Sequence, residues 1–281
     1  MSIKDRVREL RSGIAGHLWP LRVNKLLYLG RRARHRWKRI HLTRSEFSKA
    51  ISVWELGRER RLVFAEGLRV AQSVAFTRGS WGELRREYWG RAMRPPCGLP
   101  DRPRVLILGL GGGTMVQLAQ QVLRPRRITA VERDPVVVQV AREFMGLDGI
   151  PGLRVVVGDV HTALTELERG EDFDLIIEDV FYRGFPDEPD AFIRSYIGDL
   201  ARVLSDRGAL VFNRWFRDRS GRPLDSGQER LARLLGERFE QVARQRIAQR
   251  WQNELIFAAG LRSRERRPGA AAARDRAAAG A

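Results

Sequence analysis

The 281-residue chain is 43% hydrophobic and 31% charged, enough apolar material for one large core, or one large and one small, which excludes intrinsic disorder and small disulfide-stapled scaffolds. No run approaches the roughly 20 apolar residues of a membrane-spanning helix, and the charged start from Met1 to Leu10 lacks the apolar segment of an export signal. The net charge of +18 sits mostly at the ends: residues 1 to 50 hold 14 Lys and Arg against three acidic residues and residues 262 to 281 hold six against two, which leaves the body 32 of the chain's 52 basic groups and 29 of its 34 acidic ones.

A nearly neutral body does not describe a basic groove for nucleic acid, so the charge bears on the ends. Leu21 to Leu42 mixes apolar residues with Arg31, Arg32, Arg34, Arg36, Lys38 and Arg39 and predicts a basic amphipathic helix broken near Gly30. It either packs on the body with a solvated face or makes a weak contact with an anionic surface, membrane or nucleic acid. Ile51 to Phe76 runs in short alternating stretches with turns at Gly57 and Gly67, a small antiparallel unit. Trp81 to Met93 reads as helix, and the Pro-rich stretch Pro95 to Pro103 as linker. That linker holds the single cysteine, Cys97, which is given no catalytic role; one cysteine fits a reducing cytoplasm.

Beyond Pro103 strands and helices alternate. Strands are predicted at 105–108, 128–131, 153–157, 175–177 and 209–212, with helices at 114–123, 136–144, 161–168, 190–204 and 226–238, and closing strands near 240–246 and 254–259. Such alternation predicts an α/β fold with a doubly wound, mostly parallel sheet. The last twenty residues lack aromatic and large aliphatic side chains and are expected to be a disordered tail. The chain thus divides into a basic, partly helical extension (1–46), a small β domain with its connecting helix (47–98), a nucleotide-binding catalytic domain (99–261) and the tail (262–281).

Ligands of open α/β sheets sit beyond the carboxyl ends of the strands. After the first strand comes Gly109-Leu-Gly-Gly-Gly-Thr114, where Gly109, Gly111, Gly112 and Gly113 let the backbone approach a ligand at the start of a helix. Thr114 stands where the dinucleotide pattern needs its third glycine, which disfavours NAD. Glu132 follows the second strand and is placed to accept from both hydroxyls of a ribose. Asp159 follows the third and either accepts from an adenine amine or caps the next helix. Glu178-Asp179 follows the fourth, at the centre of the crevice.

Arg104 to Gly113, Ala130-Val-Glu-Arg-Asp-Pro135, Val157-Gly-Asp159 and Phe173 to Asp179 together resemble the spermidine synthase family, within the S-adenosylmethionine-dependent methyltransferase folds. Upstream, Leu62 to Gly67 with Gln72-Ser73 is similar to the family's N-terminal β-hairpin region, and Arg86 to Met93 to its Glu-x-Tyr segment. The resemblance covers about residues 50 to 260. It implies a seven-stranded methyltransferase-like Rossmann domain behind a small N-terminal β-hairpin domain, a homodimer, and S-adenosylmethionine or its decarboxylated form as ligand, with no metal. Glu132 would hold the ribose, Asp159 the adenine, the 109–113 loop the sulfonium tail, and Gln72 and Tyr88 the acceptor, which in the family is a polyamine. Two departures stand out. The family's loop Asp falls on Gly112, and the Asp that serves as its base falls on Tyr182, leaving Asp179 and Tyr182 as the catalytic candidates.

Tyrosine, with an ordinary pKa near 10, is a poor base at neutral pH. Three readings follow: a transferase that moves a methyl group to an unassigned small-molecule acceptor, which is favoured; an aminopropyltransferase using Asp179 or a loop carboxylate among Glu178, Asp187, Glu188 and Asp190; and a nucleotide-binding protein without turnover, tethered by its ends. His161 is a further candidate base, with capping or surface placement the simpler reading.

Overall fold

The structure is a computed structural model and describes residues 36–64, 71–77, 81–167, 172–180, 188–216, 223, 227–248 and 252–262. Residues 263–281 of the tail, Tyr182, Asp187 and the first part of the predicted amphipathic helix lie outside them. The rest of that helix is corrected: Lys38–Thr43 is a strand, β1. It pairs antiparallel with β2 (Ile51–Leu56), which continues to β3 (Glu59–Phe64) and β4 (Ser73–Phe76) as a four-stranded sheet. Pairing with β2 satisfies one edge of the β1 backbone, and Ile40 packs against the core, so tertiary context overrides the helical charge pattern. The sheet therefore begins inside the segment assigned above to the basic extension. Of the predicted 81–93 helix only α1 (Tyr88–Ala92) is helical, and it buries Tyr88 and Trp89.

The second sheet is built from β5 (Arg104–Leu108), β6 (Arg127–Glu132), β7 (Leu153–Val157), β8 (Phe173–Glu178), β9 (Leu204–Trp215), β10 (Phe239–Ala248) and β11 (Gln252–Leu261). Across the sheet the order is β7-β6-β5-β8-β9-β11-β10, with β11 antiparallel to both neighbours and the other pairs parallel. Helices α2 (Thr114–Val122), α3 (Pro135–Met145), α4 (Val160–Leu167), α5 (Asp190–Arg202) and α6 (Gln228–Arg238) connect the strands.

Alternation of side chains splits the core in two. Val105, Ile107, Leu175, Ile177 and Val211 face a cluster that includes residues of α2, α3 and the small sheet. Leu106, Leu108, Ile176, Leu210 and Phe212 face the other, built with α4, α5 and α6. The chain moves outward from β5 to β6 to β7, then crosses back to lay β8 on the other flank of β5. That reversal opens a crevice at the carboxyl ends of β5 and β8, where a ligand of such a sheet binds.

Candidate active site

The turn after β5 is pressed from two sides. Gly109 has φ +91°, and a Cβ there would stand 2.7 Å from the Asp179 carbonyl oxygen. At Gly112 a Cβ would stand 2.7 Å from Ser73 Cβ, and the Gly112 N–H donates to Ser73 Oγ at 2.7 Å. A side chain such as aspartate at position 112 therefore has no room while β4 lies against the loop. Thr114, at the start of α2, completes this junction: its hydroxyl accepts from the Val74 N–H and donates to the Val74 carbonyl, each at 2.8 Å.

Glu132 ends β6 beside this loop. Its Oε2 accepts from the Gly111 N–H at 3.0 Å and its Oε1 from the Asp134 N–H at 3.1 Å. Burial raises the Glu132 carboxyl above its ordinary value, with the backbone N–H groups of Gly111, Asp134 and Arg133 opposing. Each carboxylate oxygen keeps a second lone pair, the arrangement a pair of ribose hydroxyls needs. Asp159 Oδ1 accepts from the His161 N–H at 2.9 Å, so the capping role is present at the start of α4. Beside it Val157 is 52% exposed, an apolar surface at the β7 end of the crevice. The His161 ring packs against Phe192 and Tyr196 of α5, with centroids 5.4 and 5.1 Å away, and so serves the joint between helices.

Asp179 follows β8 at the centre. Asn213 of β9 donates from Nδ2 to Asp179 Oδ1 at 2.6 Å, and Asn253 of β11 donates to Asn213 Oδ1 at 2.8 Å. Burial pushes the Asp179 carboxyl up to about 7, against the lowering effect of the Asn213 bond. Tyr88 on α1 feels the same charge: burial first, then Asp179, raises its phenol well above 10, so it stays a protonated donor. Gln72, half-buried, enters β4 with its N–H on the Leu62 carbonyl and is the neighbour of Ser73.

Of the other carboxylates near Asp179 in sequence, Glu178 and Asp190 are engaged elsewhere. Glu178 turns to the opposite face and pairs, fully buried, with Arg214; burial raises its carboxyl and the guanidinium pulls it down. Asp190 lies between Arg230 (2.5 Å) and Arg233 (2.7 Å) on α6, which hold its carboxyl below the ordinary value. Among the described residues no cluster of His, Cys, Asp and Glu has metal-binding geometry. Sequence reading missed Ser73, Val157, Asn213 and Asn253. Of these only Asn213 carried a signal, as a polar residue closing the apolar run Ala209 to Phe212.

Residues 94–214 match the profile of the spermine/spermidine synthase domain. The chain is 36% identical across 126 residues to the eEF1A lysine and N-terminal methyltransferase of Danio rerio, covering 42% of this chain and 18% of that protein. The polyamine aminopropyltransferase of Vibrio vulnificus (strain CMCP6) is 30% identical across 115 residues, covering 41% and 38%. The chain thus spans well under half the length of either relative. Among solved structures, human methyltransferase-like protein 13 in complex with SAH superposes with a TM-score of 0.50 at 23% identity, covering 68% of this chain and 86% of that one. Spermidine synthase from Thermotoga maritima gives 0.54 at 16% identity, covering 79% and 72%. These structural likenesses establish the methyltransferase-like fold of the domain and its seven-stranded sheet.

Proposed function

We propose that the domain is a transferase that moves a methyl group from S-adenosylmethionine to a single amine. The observation that carries this is the commitment of two of the acidic groups near Asp179: Glu178 is bound to Arg214 and Asp190 to Arg230 and Arg233, while position 112 is a glycine packed on Ser73. A diamine with a decarboxylated donor brings several ammonium charges that need carboxylates. Here the crevice offers Asp179, one proton acceptor poised near neutrality, beside the Tyr88 hydroxyl.

The residues present fit the donor. Glu132 has a lone pair free on each oxygen for the ribose hydroxyls, Val157 offers an apolar face for a purine, and the loop without a carboxylate at 112 does not repel the donor's own carboxylate. When bound, S-adenosylmethionine supplies a methyl carbon already activated by its sulfonium. What remains for the protein is alignment and the removal of one proton from the attacking nitrogen. Asp179 takes that proton, and Tyr88 holds the amine in line. A relative whose name specifies lysine and N-terminal methylation, both at amines, supports the reading.

Calorimetry with S-adenosylmethionine and its decarboxylated form in parallel tests it. The carboxylated donor should bind at least tenfold tighter, about 1.4 kcal/mol. Tighter binding of the decarboxylated form, with transfer to putrescine, would favour aminopropyl transfer instead.

A further inference from the structure

Asn253 is fully buried on β11, and its Oδ1 has no hydrogen-bond partner among the described residues. An unmet buried carbonyl of this kind destabilises a fold, and an aliphatic side chain of similar volume would serve the core better. Its Nδ2, however, donates to Asn213 Oδ1 at 2.8 Å, and Asn213 Nδ2 donates to Asp179 Oδ1 at 2.6 Å. Were the Asn213 amide turned over, its NH2 would face the Asn253 NH2 and its oxygen would face the Asp179 carboxylate, so two favourable contacts would become two repulsive ones. The donor from β11 therefore sets which end of Asn213 meets Asp179. Among the described residues Asp179 Oδ2 receives no hydrogen bond, and it is the oxygen left for a substrate proton.

Resting on the transferase reading above, we propose that Asn253 is a positioning residue: acting through Asn213, it holds the Asp179 carboxylate with one oxygen tied and the other presented to the acceptor amine. The titratable and charged groups around Asp179 are Glu178 on its own strand, Arg214 on β9, and Tyr88 with its neighbour Glu87 from α1. Glu178 and Arg214 are paired with each other. Asn213 is thus the direct neutral partner of the carboxylate, and its bond favours the ionised form.

The test uses Asn253→Leu and Asn253→Asp in the full chain, alone and combined with Asn213→Ala. Asn253→Leu should keep or raise the melting temperature, lower kcat for methyl transfer about tenfold with little change in KM, and move the acid limb of the rate profile to higher pH. In the Asn213→Ala background it should add nothing, because both changes break one chain. A 13C titration of the Asp carboxyls reads the Asp179 ionisation without turnover and should show the same upward move. If wild type turns over no amine while the Asp179 resonance still moves in Asn253→Leu, the transferase reading fails and the positioning link stands. An unchanged profile and resonance, or additive losses, would overturn the link. Failure of both Asn253 variants to fold would overturn it too, since the residue would then be serving the fold.

Discussion

Asp179 ionises near neutral pH because β8 delivers it into a crevice walled by apolar strands, and the Asn213 bond offsets only part of the lost hydration. The sign of its effect on stability follows. A carboxyl whose folded value lies above its unfolded value penalises the folded state once ionised, so stability falls as pH rises from about 4 through about 7. Asp179→Asn should then raise the melting temperature at pH 8 but not at pH 4, by up to a few kcal/mol in unfolding free energy, while slowing transfer about 10²- to 10⁴-fold, the usual worth of a general base. A slower enzyme without the pH-dependent gain would mean that Asp179 is well hydrated in solution. Glu132 is tested differently. Glu132→Ala removes the acceptor for the Gly111 and Asp134 N–H groups as well as for the ribose, and should weaken adenosyl-ligand binding by about 1.5–3 kcal/mol; unchanged affinity by calorimetry would move the nucleotide elsewhere.

Strands β8 and β9 face two ways along their length. Alternation sends Glu178 to one face and Asp179 toward the other, so adjacent carboxylates end in separate surroundings. Glu178 meets Arg214 in a sealed pair that also touches the Asn213 carbonyl, and Asn213 itself turns to Asp179. Arg214→Met would strand a buried carboxylate, and denaturant unfolding should show a loss of about 3–5 kcal/mol, most of it recovered in the double variant with Glu178→Gln. A small loss in the single variant would show that water reaches Glu178. In sequence, Glu178-Asp179 read as one acidic feature at a strand end. Which of the two carboxylates faces the crevice depends on strand register and on partners 34 and 36 residues away, so periodicity along β8 alone did not separate them.

At the scale of the whole molecule, the four-stranded sheet is joined to the larger domain through β4, whose Ser73 and Val74 take their partners from Gly112 and Thr114 at the mouth of the crevice. Thr114→Val preserves shape while leaving the buried Val74 N–H and carbonyl unmet, so it should cost about 1–3 kcal/mol, and hydrogen exchange should rise first in β4. Exchange unchanged there would mean that apolar packing alone carries the joint. The alternation of strands and helices from Val105 onward, the glycine turn, and the acidic residues after β6 and β8 were legible in the sequence because each depends on local periodicity or on residue type at a strand end. The β1 strand was not, because Lys38 to Thr43 becomes extended only when β2 offers it a ladder. Nor were the packing of Gly112 on Ser73, the chain from Asn253 through Asn213 to Asp179, and the separate fates of Glu178, Asp179 and Asp190. Sequence by itself determined the sheet and where along the chain its ligand end would lie. Tertiary structure alone decided that Glu178 and Asp190 are paired with arginines while Asp179 meets the neutral Asn213 amide, because pairing depends on strands and helices that meet only when the sheet closes.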